Sequence, residues 1–204
     1  GLEVKAIGSL RERNIVTFIK GFLYGRIIKR TYFWHYEPTI LKSHARQLER
    51  ALEGIEHELV FSSRTFPIAY LRPEKPIVFW HDATFAGLLG FYPGSENYSA
   101  ETIKYGNLVD QLALTKCSLA IYSSQWAADS AVRDYGADPE KVKVVPFGAN
   151  IDCSRTLEDI CAIIQKKDHT SCKLLFIGKE WERKGGPLAV EVAKLLNQVG
   201  LPTE

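Results

Sequence analysis

Apolar and polar residues alternate over residues 1–8, GLEVKAIG, and the run ends in glycine, a pattern that predicts a strand. Between residues 11 and 30 the apolar positions Ile15, Phe18, Ile19, Phe22, Leu23, Ile27 and Ile28 recur near the helical period, and residues 39–52 also read as a helix. Residues 57–61 read as a short buried strand, and residues 76–80, PIVFW, as another that delivers His81 and Asp82 into the loop behind it. A stretch rich in glycine and aromatic residues, 86–98, leads to a helix over about residues 100–116. A strand over 117–122 then ends in Ser123 and Ser124. Ser124 is placed to cap a helix over 125–135, because its hydroxyl can accept one of the orphan backbone N–H groups. After the turn GADP, residues 136–139, a further strand is predicted over 141–146.

Strands that alternate with helices predict βαβ units and an α/β fold with a Rossmann-like, parallel, doubly wound sheet. In such sheets ligands bind beyond the carboxyl ends of the strands. That rule singles out His81-Asp82, Ser123-Ser124, residues 147–150 and residues 178–186. The organisation changes after Asn150. Leu157, Ile160, Cys161 and Ile164 share one helical face, with Thr156 and Asp159 spaced as a capping box. A polar run over 166–171 gives way to a fresh strand at 173–177, and Pro187 opens a helix. The expected organisation is a first domain over 1–150, a linker helix over 151–171 and the start of a second domain over 172–204.

Composition narrows the class. The chain's 204 residues can bury a substantial core, and 46% hydrophobic with 25% charged residues is the balance of an ordinary soluble protein. A net charge of +2, from 26 basic and 24 acidic side chains, provides no whole-molecule attraction to nucleic acid or to a membrane, so any electrostatic function is local. Cys117, Cys153, Cys161 and Cys172 form no C-x-x-C pair and no dense framework, which points to a reducing cytoplasmic location. The longest apolar runs are too short to span a bilayer. The chain contains no Met, so the expectation is either that it begins inside a longer product or that some residues of the natural sequence are missing from it.

Two stretches carry local charge. Residues 11–30 hold Arg11, Arg13, Lys20, Arg26, Lys29 and Arg30 against the single acid Glu12. Such a helix either packs on the core with its bases in water, the reading its pattern favours, or makes a peripheral contact with an anionic membrane through Phe18, Phe22 and Tyr24. The second stretch, FIGKEWERKGGP at 176–187, sets Lys179, Arg183 and Lys184 between Gly178 and Gly185-Gly186 at the mouth of a helix. It reads either as a charged turn or as a cradle for phosphate. His81, leaving a strand end beside Asp82, is either structural or a group that orients a hydroxyl. Gly148, in VPFGAN, is either a turn glycine with positive φ or a point of close backbone approach to a ligand. No D-x-D motif is present to hold a metal.

Two longer segments carry a resemblance. SSQWAADSAVRDYGADPEKVKVVPFGANID, residues 123–152, is similar to the segment that closes the first domain of glycosyltransferases with two facing Rossmann-like domains, the GT-B fold, and of family 4 in particular. LLFIGKEWERKGGPLAVEVAKLL, residues 174–196, resembles the opening of that family's second domain, with Lys179 and Lys184 five apart as its pattern requires. The resemblance implies a retaining, metal-independent transfer of a sugar from a nucleotide-sugar donor to a carbohydrate or lipid-linked acceptor, with no nucleic acid involved. The first domain would take the acceptor and the second the donor. Lys179 and Lys184 would bracket the donor diphosphate, helped by N–H groups around Gly185 and by the helix dipole, and Gly148 would lie near the donor. His81 with Asp82 would position or polarise substrate, since no protein nucleophile is expected. The family pattern also implies that the chain lacks a first βα unit and a later pair of Glu residues that hold the donor. Two alternatives share the architecture: a nucleotide-sugar epimerase, and a non-catalytic Rossmann-like binding module.

Overall fold

Four short strands supply the frame. In the computed structural model, which describes residues 3–12, 15–72, 74–92, 94–149, 151–167 and 170–204, the strands are β1 (Val60–Ser62), β2 (Ile77–His81), β3 (Leu119–Tyr122) and β4 (Val142–Val144). All pair in parallel in the order β1-β2-β3-β4, with Val60 opposite Ile77, Phe79 opposite Ala120, His81 opposite Tyr122 and Ala120 opposite Val142. Around them stand α1 (Ile15–Phe22), α2 (Pro38–Leu52), α3 (Phe85–Leu88), α4 (Ala100–Lys116) and α5 (Gln125–Tyr135), followed by α6 (Leu157–Gln165) and α7 (Gly186–Gln198). The chain divides into two compact units, Gly1–Phe147 and Gly148–Glu204, so the sheet belongs to the first.

The parallel α/β sheet is Rossmann-like, but its strand order runs without reversal. Each strand adds to the same edge, and right-handed crossovers in one direction place their helices on one face. The reversal that makes a sheet doubly wound, and creates a switch-point crevice, does not occur among these four strands. The burial pattern agrees. Ile77 and Phe79 of β2, Ala120 and Tyr122 of β3 and Val142 of β4 are buried, whereas the alternate residues Val78, Trp80, Leu119 and Ile121 are only half-buried. The buried set packs with Leu48 of α2, Ala113 and Leu114 of α4, and Ala127, Ala128, Ala131 and Tyr135 of α5. The three alanines let α5 lie close on the sheet, and the Phe79 and Tyr122 rings meet edge to face with centroids 5.8 Å apart. Burying each large side chain of this kind contributes about 2 kcal/mol relative to leaving it exposed.

Capping explains why two helices fall where the sequence predicts. Ser99 and Ser124 accept the N–H groups of Thr102 and Ala127 at the starts of α4 and α5, and Gly136, at φ 63°, closes α5 in the left-handed conformation. In α6, Thr156 and Asp159 form the predicted capping box. Among the described residues no helix is long and apolar enough to cross a membrane.

Three expectations are corrected. Residues 3–8 form no strand, because no neighbouring strand offers them a ladder, and Val4 remains 83% exposed. The segment at 173–177 forms no strand and joins no sheet among the described residues. It pairs only at its start, where Cys172 bridges Thr203 in parallel and the N–H of Leu174 reaches the carbonyl of Glu204 at 2.8 Å. The third concerns the helix expected over 11–30. It comprises α1 and a π-helical turn, Leu23–Ile28, ended by Lys29 at φ 56°. Arg11, Arg26, Lys29 and Arg30 are exposed, as expected, but the apolar positions Ile15, Phe18, Ile19 and Phe22 are exposed too and do not pack on the core. Its inward side carries Thr17, Lys20, Gly21 and Tyr24, and the Lys20 ammonium bonds Glu37 at 2.7 Å and Glu101 at 3.0 Å. Burial alone lowers the pKa of Lys20, but these two carboxylates outweigh it and the net shift is upward. Arg13 of this stretch lies outside the described residues, as does Asn150 of the 147–150 turn.

One core position titrates. His44, on the inner face of α2, is 4% exposed, and neither ring nitrogen has a hydrogen-bond partner among the described residues. Burial lowers its pKa, partly opposed by Glu12, whose carboxylate is 3.8 Å from Nε2. The unfolded chain then binds the proton more readily than the folded one, so the stability His44 contributes is present above about pH 6.5 and is lost as pH falls towards its folded pKa. Urea denaturation from pH ~7.5 to ~5 should show stability falling, and His44→Leu should flatten that slope, leaving the part due to His35, which burial shifts the same way.

Candidate functional site

The carboxyl end of β2 delivers His81 into a loop that the rest of the first unit holds in place. The anchor is Asp110, a buried residue of α4 that is 4% exposed. Its carboxyl accepts the hydroxyl of Thr65 at 2.7 Å and the backbone N–H of Phe85 at 2.6 Å. One side chain thereby joins the segment after β1, the loop after β2 and the middle of α4. Burial pushes the Asp110 pKa up, against the pull of those two donors, of His81 and of Tyr135.

The next two N–H groups of the loop are also held. Ala86 donates to the Tyr135 hydroxyl at 2.9 Å, and that hydroxyl donates to Asn107 at 2.8 Å. Gly87 donates at 3.0 Å to Thr84, which caps α3 and shares a 2.5 Å hydrogen bond with Ser130 of α5. The Phe85 ring lies so close to α4 that a methyl group added at Gly106 would stand 2.5 Å from it. These contacts come from α4, α5 and the loop itself.

On this support His81 has a defined tautomer. Its Nδ1 is 2.6 Å from the carbonyl of Ala83, which only accepts, so Nδ1 carries a proton. In the neutral ring Nε2 therefore keeps its lone pair, 3.5 Å from a carboxylate oxygen of Asp82. The His81 side chain is 19% exposed and that of Asp82 69%. The pair thus presents one imidazole lone pair beside a largely exposed carboxylate, an arrangement able to accept or orient a hydroxyl proton. The neighbouring loops are registered to it. The carbonyl of His81 accepts the N–H of Ser123 at 3.0 Å, and the Trp80 indole donates to the carbonyl of Val145 at 2.9 Å.

In the second unit the basic turn is compact. The N–H groups of Lys184, Gly185 and Gly186 bond the carbonyls of Glu180, Glu182 and Trp181 at 3.0, 3.1 and 2.9 Å. Two glycines are required for different reasons. Gly185 adopts φ 81°, and a Cβ on Gly186 would run into the Trp181 ring. Gly178 faces Lys184, whose Cβ and Cγ would lie 3.2 Å from an added Cβ, so the turn folds the lysine back against the residue that precedes Lys179. Arg183 pairs with Glu180 at 2.5 Å and holds that carboxylate below its ordinary range. Lys179 and Lys184 are exposed and have no ion-pair partner among the described residues. The expected N–H donors at Gly185 and Gly186 are used within the turn, and Pro187 has none. The positive charge this turn offers is therefore that of the two ammonium groups and the start of α7.

Gly148, the first residue of the second unit, neither adopts a left-handed φ nor has any atom within 4 Å of where a Cβ would be. His81 and Asp82 stand together in the first unit, and Lys179, Lys184 and Gly185 stand together in the second. Two cavities of the first unit, one lined by Cys117, Tyr135 and Lys141 and one by Leu52, His57 and Lys75, include none of them. Among the described residues no three His, Cys, Asp or Glu side chains gather to hold a metal ion. Sequence reasoning missed Asp110. Its signal was an acid in the middle of the stripe formed by Gly106, Val109, Ala113 and Leu114. No protein-family model and no curated protein matches the chain.

Removing the anchor should release the loop. Asp110→Ala leaves the Thr65 hydroxyl and the Phe85 N–H buried without partners, and should cost about 3 kcal/mol in urea denaturation. A loss below about 0.5 kcal/mol would mean that the carboxyl is not the anchor.

Proposed function

We propose that the chain belongs to a retaining, metal-independent glycosyltransferase that moves a sugar from a nucleotide-sugar donor to a carbohydrate or lipid-linked acceptor. The observation that carries this reading is the turn at 178–186. The segment over 173–177 ends in Gly178, and the backbone then folds so that Lys184 packs against that glycine, leaving two ammonium groups with no ion-pair partner among the described residues on one turn at the head of α7. When a glycosidic bond to a diphosphate breaks, negative charge accumulates on the leaving group, and fixed cations favour that state more than the ground state. Lys179 and Lys184 supply the cations, and the α7 dipole adds to their field.

His81 supports the acceptor half of the reaction. With Nδ1–H held by Ala83, Nε2 accepts a hydrogen bond from an acceptor hydroxyl or from the sugar, beside the Asp82 carboxylate. The loop bonds at Phe85, Ala86 and Gly87 fix that position before substrate arrives, which reduces the ordering needed on binding.

Release of nucleotide from a panel of UDP-, GDP- and ADP-sugars by the full-length protein tests the proposal. One donor should be turned over, and Lys184→Ala should slow release about a hundredfold while the protein stays folded. Release that Lys184→Ala leaves unchanged would refute the diphosphate cradle. Conversion of donor without any acceptor would favour the epimerase, and failure of every nucleotide to raise the melting temperature would reject a donor site of either kind.

A further inference from the structure

Two large aromatic side chains stand in water beyond the carboxyl end of the sheet. Phe91, in the loop after α3, is 60% exposed, and Trp126, in the first turn of α5, is 43% exposed. Their ring centroids are 5.3 Å apart and the planes are tilted by 46°. The segments that carry them follow β2 and β3, whose ends lie side by side with His81 opposite Tyr122. Leaving rings of this size in water forgoes the gain of burying them, and a pair held together at one place marks a contact surface.

Both rings are fixed. The Trp126 ring lies against Gly87, where an added Cβ would be 3.3 Å from it and 3.0 and 3.2 Å from the hydroxyls of Thr84 and Ser130. Glycine at this position lets the indole rest on the anchored loop. Phe91 is set by its own loop. Gly90, at φ 78°, donates to the Ser95 hydroxyl at 2.8 Å, and the Phe91 N–H reaches the carbonyl of Leu88 at 3.2 Å. The Tyr92 ring meets that of Phe91 edge to face, with centroids 4.9 Å apart.

The chemistry of the two segments selects the ligand. Neither residues 82–92 nor residues 123–132 contain a Lys or Arg, and their carboxylates are those of Asp82 and Asp129. Such a surface offers no attraction to phosphate, nucleic acid or anionic lipid. Groups that bind hydroxyls are present instead. The Gln125 amide donates to one oxygen of Asp129 at 2.7 Å, which orders an amide and a carboxylate on the turn that carries Trp126. The Trp126 indole N–H has no hydrogen-bond partner among the described residues. A pyranose matches both features: its C–H face carries partial positive charge suited to the negative face of an aromatic ring, and its hydroxyls take hydrogen bonds at the edge.

We infer that Phe91 and Trp126 form a stacking platform for a neutral sugar ring, and that this ring belongs to the acceptor. The assignment to the acceptor rests on the glycosyltransferase reading; the platform itself does not. Saturation-transfer NMR on the full-length protein without nucleotide tests the platform, with the methyl glycosides of glucose, galactose, mannose and N-acetylglucosamine as probes. At least one should receive saturation at the C–H protons of one face, and Phe91→Ala and Trp126→Ala should each weaken its binding by about tenfold. Trp126→Phe should retain much of the binding, because a ring remains. Phe91 is exposed, so Phe91→Ala should leave circular dichroism and the melting temperature unchanged, which keeps the test decisive if Trp126→Ala disturbs α5. Lys184→Ala should not alter sugar binding, so the platform and the diphosphate cradle fail separately. Saturation of none of these probes, or binding that Phe91→Ala leaves unchanged, would overturn the platform. So would a solution dimer that Phe91→Ala dissociates in a protein that binds no sugar. Sugar binding through these rings in a protein that turns over no donor would keep the platform and refute its assignment to an acceptor.

Discussion

The Asp110 carboxyl is the interaction on which the arrangement of the first unit rests. A parallel sheet leaves its functional loops at the carboxyl ends of the strands, where the hydrogen-bond ladder stops and nothing in the strands themselves dictates a path. Here an acid from the middle of α4 reaches the Thr65 hydroxyl after β1 and the Phe85 N–H after β2, so both paths are set by one group. Burying it carries a desolvation penalty that shows as an upward shift of its pKa, and the two donors offset much of that penalty. Tyr135 and Ser130 of α5 add the neighbouring bonds, and the position of His81 follows from them.

Much of this architecture was legible from local chemistry, and what was not legible depended on distant partners. The bounds of α4 and α5 follow from Ser99, Ser124 and Gly136, because caps act within a few residues. The strands at 77–81 and 119–122 follow from apolar runs between turns. Strand identity at 3–8 and 173–177 failed for the opposite reason: alternation describes a residue's willingness to pair, and pairing needs a neighbour that the local sequence does not specify. The orientation of α1 was hidden similarly. Periodicity defines two faces, but which one meets the protein was decided by Glu37 and Glu101, at sequence separations of 17 and 81 from Lys20.

The candidate site shows the same division. The pairing of Lys179 with Lys184 was an expectation from the family resemblance, and the turn that carries both lysines is shaped by Gly178, Gly185 and Gly186. The backbone donors expected beside them are consumed by the carbonyls of Glu180, Glu182 and Trp181, which no residue pattern reveals. His81 was found by its place after β2. Its tautomer came only from the Ala83 carbonyl, and its support from Asp110, a residue whose acid character on an apolar stripe was the one available sign.

The claim that the end of β2 is preorganised is tested most directly by amide hydrogen exchange on the unliganded protein. The N–H groups of Phe85, Ala86 and Gly87, each bonded to a side chain anchored on α4, α5 or the loop itself, should exchange as slowly as those within β2. Exchange at these three residues as fast as at Val4 and Lys5, in the exposed segment that forms no strand, would contradict the account.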